Sequence, residues 1–264
     1  MDSKNIQALA RQLWEAEQNH TGVQALTDAN PDLTIHNAYQ VQLVNIQRKV
    51  DLGQRITGKK IGLTSRVMQE LLGVDQPDYG HLLDSMVVEN GGTVRLNQVM
   101  QPKAEGEVAF VLKKDLIGPN VTTADVLEAT EYVLAAIEIV DSRVQDWKIK
   151  LHDTIADNAS CGLYVLGGNL VKPSEVDLRQ IGMVLEKNGQ VVNKGEGTAA
   201  LGDPALCVAW LANKLHEYGI ELKAGEVILS GALSAAVDAS PGDSFSIRVD
   251  RLGSVTVNFE GEGF

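Results

Sequence analysis

Two glutamates two residues apart, Glu105 and Glu107, stand in the stretch Pro102-Lys-Ala-Glu-Gly-Glu-Val-Ala-Phe-Val-Leu112. Val108, Phe110, Val111 and Leu112 favour a half-buried strand there. Alternation along a strand then puts both carboxylates on one face, with Ala104, Gly106, Val108 and Phe110 on the other. Their Cα atoms would lie roughly 6.5–7 Å apart, so both side chains could reach one cation. A third carboxylate, Glu138, interrupts the apolar run Val133-Leu-Ala-Ala-Ile-Glu-Ile-Val140. An ionised group inside a buried strand is costly unless it is paired or metal-bound. Three carboxylates without a nearby Cys or His suggest a hard, oxygen-loving ion, Mg²⁺ or Mn²⁺, with positions open for water and substrate. On spacing alone a Glu-x-Glu strand is more often a solvated face. Glu138 strengthens the metal reading without closing that alternative.

Other residues could do chemistry nearby. Gly58-Lys59-Lys60-Ile61-Gly62-Leu63-Thr64 reads as a short strand flanked by glycines, which permit close backbone approach. One of the two lysines must then point inward, where it could meet a substrate anion or move a proton. The bland alternative is a solvated pair. Asp78, in the turn-rich Asp75-Gln-Pro-Asp-Tyr-Gly80, could be a general base, although a turn-former is the simpler reading. Small hydrogen-bonding residues, Ala156-Asp-Asn-Ala-Ser-Cys-Gly162, suit a pocket wall and equally an ordinary loop. Cys161 reads as a buried, inert thiol before it reads as a nucleophile. His36 reads as a capping or surface residue.

The elements that must position these groups are legible in outline. Ser3 can cap a helix carrying Ile6, Leu9, Leu13 and Ala16. A second helix follows Thr34 and ends before Gly53. Together these predict a small helical lobe over 1–55 and a β-rich unit over 56–264. Ser65 can cap a short helix to Leu72. Thr122-x-x-Asp125 predicts a capping box for a helix through Ala129. Asn188-Gly189 predicts a hairpin, and Asp203-Pro204 starts a helix through Tyr218. Val227–Ser230, Ser244–Val249 and Ser254–Phe259 read as strands. Strands and helices do not alternate regularly, which argues for an α+β fold with a β-roll or sandwich core. The chain has 264 residues, 44% apolar and 22% charged, with a net charge of −12. That balance disfavours nucleic acid or an anionic membrane as a partner. No signal-peptide pattern or spanning segment is evident, so the cytoplasm is the expected compartment. Two cysteines imply no disulfide framework.

Taken together, Gly58-x-Lys-Ile-Gly-Leu-Thr64, Gln76-Pro-Asp-Tyr-Gly80, Pro102-x-x-Glu-x-Glu107, Glu138-x-x-Asp-Ser-Arg143 and Ala156-Asp-Asn-Ala-Ser160 resemble the hydratase/decarboxylase branch of the fumarylacetoacetate hydrolase superfamily. The resemblance runs from about residue 5 to 259, and five motifs in this order are highly specific. It implies a fumarylacetoacetase C-terminal-domain-like mixed β-roll or sandwich. It implies a divalent metal, Mg²⁺ or Mn²⁺, held by Glu105, Glu107 and Glu138. Lys60 and Asp78 fall on catalytic positions of the family, and Ser160, Leu63 and Thr64 on substrate-contacting ones. The implied activity is hydration of a 2-hydroxy-2,4-dienoate in meta-cleavage degradation of aromatic compounds. Decarboxylation of 2-oxo-3-hexenedioate is the alternative, and acylpyruvate-type C–C hydrolysis a more distant one. A homo-oligomer, in possible complex with a homologous decarboxylase, is implied as well. A non-enzymatic supporting subunit is opposed by the complete candidate ligand set.

Overall fold

Strand β5 (Lys103–Leu112) lies at the middle of the larger of two sheets. In this computed structural model, which describes residues 1–261, the chain first forms three helices, α1 (Ser3–Asn19), α2 (Leu26–Ala29) and α3 (Ile35–Asp51). Next come β1 (Ile56–Gly62), α4 (Arg66–Leu72), β2 (Asp78–Leu83) and two short strands, β3 (Val87–Val88) and β4 (Thr93–Val94). β5 is followed by α5 (Thr123–Ala129), β6 (Thr130–Val140), α6 (Leu151–Ala156) and β7 (Cys161–Leu166). The last third contains β8 (Gly182–Lys187), β9 (Gln190–Glu196), α7 (Pro204–His216), β10 (Val227–Ala232), β11 (Val237–Asp238), β12 (Ser244–Val249) and β13 (Gly253–Phe259). Residues 262–264 of the expected β-rich unit lie outside the described residues.

The larger sheet runs β2-β1-β10-β5-β6-β7-β3, with β11 pairing β5 at its Lys103 end. The smaller runs β4-β13-β12-β8-β9. Both are mixed: β1 with β10, β3 with β7 and β13 with β4 are parallel, the other pairs antiparallel. The two sheets stack through the apolar face of β5. A Cβ added at Gly106 would lie 3.1 Å from Met183 of β8 and 3.2 Å from Ile247 of β12. Ala104 and Val108 share that face and are fully buried. The opposite face, carrying Lys103, Glu105 and Glu107, turns away from the smaller sheet. This is the expected α+β architecture.

Local chemistry explains most boundaries. Thr122 and Asp125 form the expected capping box, and Asn188 and Gly189 both take positive φ in the hairpin. Asp2 rather than Ser3 caps α1, its carboxylate accepting the Asn5 amide at 2.9 Å, so Ser3 is already helical. Asp203 caps α7, which ends at His216, short of the expected Tyr218. The larger revision concerns Asp78. It opens strand β2 rather than sitting in a turn, because β2 pairs antiparallel with β1 over its whole length. Apolar residues of α1, α2, α3 and α6 join the same hydrophobic core as both sheets. Among the described residues no helix is long and apolar enough to cross a membrane.

Candidate active site

Register places the carboxylates. Glu105 and Glu138 are directly opposite on β5 and β6, and Glu107 lies one pair further along the same face. Like charges directly opposite on a sheet destabilise it. Ligand atoms of all three nevertheless lie within 4.8 Å of one another. Glu107 and Glu138 are fully buried, while Glu105 is half-buried. The Gly231 amide donates to Glu107 Oε2 at 2.8 Å. Glu107 Oε1 and both oxygens of Glu138 have no hydrogen-bond partner among the described residues. Burial and the neighbouring Glu138 push the Glu105 carboxyl up to about 7. Burial, with Glu138 and Glu105 beside it, drives Glu107 well above the carboxylate range.

Lys60 approaches from the far side. The cross-strand pairs Lys60–Leu229, Leu229–Ala109 and Ala109–Leu134 put it on the same sheet face as the glutamates, three strands from β6. Three flat spacings would separate those strands by about 14 Å. Lys60 Nζ is 3.1 Å from Glu138 Oε1, so the sheet curls around the cluster. That approach is a charge contact without hydrogen-bond alignment to Glu138, whereas Nζ donates to the Ala159 carbonyl at 3.0 Å. Burial opposes the Lys60 charge, but Glu138 and Asp78 outweigh it and hold the ammonium above its usual range.

Glycines make room for this closeness. Gly62 pairs with Asp78 and Gly80 with Lys60 across β1 and β2. A Cβ at Gly62 would collide with Asp78 Oδ1, and one at Gly80 with the Asn158 carbonyl. Asp78 is fully buried, and burial raises its carboxyl, with Lys60 partly offsetting the effect. Its Oδ1 has no hydrogen-bond partner among the described residues. Its Oδ2 accepts the Thr154 hydroxyl at 3.1 Å, and Thr154 Oγ1 lies 3.3 Å from Ser160 Oγ. Ser160, Thr154 and Asp78 therefore form a buried chain that ends beside Lys60. Thr154 carries no signal in the sequence, since its place follows only from the docking of α6 against β2.

The other candidates sort clearly. Thr64 packs against Gly231, the residue that donates to Glu107. Leu63 holds a left-handed backbone (φ 55°), and its carbonyl accepts Gln69 Nε2 at 2.7 Å. Both adjacent lysines are buried, so the inward/outward alternative resolves as two inward groups on opposite faces. Lys59 pairs with Glu226 at 2.9 Å. His81 is buried against Gln42 at 3.1 Å, burial lowers it to about 3, so it is neutral, and it pairs with no carboxylate among the described residues. His36 stacks on Tyr218. Burial pushes the Cys161 thiol up, as an inert thiol requires.

Behind the chain of hydroxyls, Asn158, Ala159 and Ser160 all hold positive φ, 55°, 52° and 51°. Each residue with a side chain costs about 1–2 kcal/mol in that region, least for Asn. Arg143 spans the turn. Its Nη2 donates to the Asp157 carbonyl at 2.6 Å, its Nη1 to the Cys161 carbonyl at 3.0 Å, and its Nε to Asp157 Oδ1 at 2.5 Å.

The chain is similar to proteins of known name and structure. Residues 64–260 match the family model described as fumarylacetoacetate (FAA) hydrolase C-terminal. The chain is 47% identical to a 2-hydroxyhexa-2,4-dienoate hydratase of Comamonas testosteroni, over 98% of each protein. It is 52% identical to a 2-hydroxypent-2,4-dienoate hydratase of Pseudomonas putida, over 83% of this chain and all of that protein. The solved structure of 4-oxalocrotonate decarboxylase from Pseudomonas putida G7, complexed with magnesium and adipate, superposes with a TM-score of 0.95 at 40% identity, covering 98% of both chains. Curled sheet, matched segment and near full-length relatives agree: the chain belongs to the fumarylacetoacetate hydrolase family.

Proposed function

We propose that the protein is a divalent-metal-dependent hydratase that adds water to 2-hydroxypenta-2,4-dienoate, giving 4-hydroxy-2-oxopentanoate, in the breakdown of aromatic compounds. The observation that carries this reading is the buried glutamate face with Lys60 and Asp78 opposite it. The residues fit a metal. Three carboxylates converge within 4.8 Å, all donors are oxygen, and three of the buried oxygens have no hydrogen-bond partner among the described residues. Glu105, Glu107 and Glu138 would hold Mg²⁺ or Mn²⁺, and Lys60 and the ion would share Glu138. Bound there, the ion supplies Lewis-acid polarisation of a 2-oxo acid. The decarboxylase of known structure that superposes on this chain was solved with magnesium.

The reaction balances in two stages. The enol loses its O–H proton and C5 gains one, leaving an unsaturated 2-oxo acid. Water then bonds to C4 through oxygen while a proton reaches C3. Negative charge develops on the substrate 2-oxygen during addition. The Lys60 ammonium, fixed by Ala159 and Glu138, stabilises it. Asp78, its carboxyl raised by burial, is the base that takes the proton of the attacking water. Thr154 orients Asp78. Ser160, with Leu63 and Thr64, contacts the substrate.

Decarboxylation of 4-oxalocrotonate is the second reading, favoured by the decarboxylase superposition. The hydratase reading is preferred because the relatives named hydratases are 47% and 52% identical, against 40% for the decarboxylase. C–C hydrolysis is disfavoured because neither His81 nor His36 pairs with a carboxylate. The proposal extends to a homo-oligomer able to bind a homologous decarboxylase, which sedimentation of the chain alone and of the mixture checks. The activity test is loss of dienol absorbance with Mg²⁺, with Mn²⁺ and with EDTA, the product identified by mass. Metal-dependent gain of one water supports the hydratase. CO₂ release from 2-oxo-3-hexenedioate without hydration would move the assignment to the decarboxylase.

A further inference from the structure

We infer that Asn158 is a positioning residue, pinning the left-handed turn 158–160 so that the Ala159 carbonyl holds the Lys60 ammonium against Glu138. The inference rests on the proposed role of Lys60. Three consecutive left-handed residues, none of them glycine, persist only where the surroundings impose them. Here the surroundings are specific. The Asn158 side chain pairs with the backbone of β2 as a strand would, accepting the His81 amide at 2.7 Å and donating to the His81 carbonyl at 3.0 Å. Arg143 grips the carbonyls on either side of the turn. Gly80 lets the Asn158 carbonyl come close to β2.

The product of this bracing is one buried backbone carbonyl aimed at one cation. Among the described residues Lys60 has a single aligned hydrogen bond, to Ala159, and its contact with Glu138 is unaligned. A four-carbon stem has many rotamers, so the carbonyl decides where the ammonium sits. The same turn carries the Ser160 hydroxyl to Thr154 and hence to Asp78. The Asn158 side chain bonds to the His81 backbone and, among the described residues, to neither the glutamates nor Lys60, so its effect reaches the chemistry through backbone geometry.

The test uses full-length enzyme with saturating Mg²⁺. Asn158→Ala should lower kcat roughly tenfold to a hundredfold, since small misplacements of a catalytic group cost that much. Mg²⁺ affinity by calorimetry should change little. Asn158→Asp, which keeps the acceptor for the His81 amide and tolerates left-handed φ, should recover most of kcat. In a Lys60→Met background, Asn158→Ala should cost nothing further, a non-additivity that a merely structural role would not produce. Ala159→Gly relieves the backbone strain and guards against a misfolded Asn158→Ala; it should keep or raise Tm while kcat falls. Wild-type kcat in folded Asn158→Ala or Ala159→Gly, or full additivity with Lys60→Met, would overturn the inference. A fully active Lys60→Met would instead overturn the proposed Lys60 role.

Discussion

Two groups of buried charge lie close together in this molecule and are treated in opposite ways. Asp157 and Arg143 are each satisfied several times over. Asp157 accepts the Arg143 guanidinium and amide and the Ser142 hydroxyl, while the guanidinium also serves two carbonyls. Glu107 and Glu138 are as deeply buried, yet three of their four carboxylate oxygens have no hydrogen-bond partner among the described residues. The same desolvation acts on both groups. One is closed on itself and holds a backbone in place. The other leaves strong acceptors converging on a point, which costs stability and makes sense only if a ligand meets them. Saturation, not burial or charge, separates scaffold from site.

The comparison breaks most sharply at Glu107. Glu107→Gln should lower kcat/KM on the order of 10³-fold or more, with Mg²⁺ binding lost, because it removes a charge placed for the ion. In EDTA its Tm should equal or exceed the wild type, since a buried, poorly compensated carboxylate becomes neutral while the Gly231 amide keeps an acceptor. Arg143→Met is the opposite case. It leaves Asp157 buried and uncompensated and should cost about 3–5 kcal/mol in chemical denaturation. The surviving folded fraction should bind Mg²⁺ normally. If Glu107→Gln in EDTA destabilises as much as Arg143→Met, the two groups are not different in kind.

A subtler effect concerns pH. A Glu105 carboxyl near 7, against the 4.5 of a free glutamate, means that the metal-free folded state binds more protons than the unfolded chain between those values. Stability of the EDTA-treated protein should therefore fall as pH rises from 4.5 through about 7. Glu107, also raised, acts in the same direction. Mg²⁺ should remove the dependence, and its affinity should weaken as pH drops below about 7, because protons and metal compete for the same oxygens. Tm across pH, with and without Mg²⁺, checks both signs.

The sequence shows the three glutamates because a carboxylate in an apolar strand is conspicuous locally, and it shows the helix caps and the Asn188-Gly189 turn for the same reason. It misplaces Asp78, where Pro77 and Gly80 imitate a turn. Gly80 in fact lies inside a strand paired with β1, and it is glycine because the Asn158 backbone leaves no room for a side chain, a neighbour distant in sequence. Lys59 and Lys60 are both buried because each finds its acid on a distant segment, Glu226 just before β10 and Glu138 in β6, which no local pattern reveals. The bracing of residues 158–160 by Arg143 and His81 is invisible for the same reason. Side chains that bond to a distant backbone leave no periodicity.

Thr154 offers the finest division between the two kinds of buried polar group, because it belongs to both. Its hydroxyl satisfies Asp78 as scaffold residues do, yet Asp78 keeps one oxygen without a hydrogen-bond partner among the described residues. Thr154→Val preserves shape and should cost only about 1–2 kcal/mol of stability. Its larger signature should be in the pH profile. The hydroxyl favours the charged form of Asp78, so its loss raises that carboxyl further. If Asp78 acts as the base, the acidic limb of kcat/KM must then move to higher pH, with a loss of roughly tenfold near neutrality. An unshifted limb with the same loss would make Thr154 a packing residue, and Asp78 something other than the base.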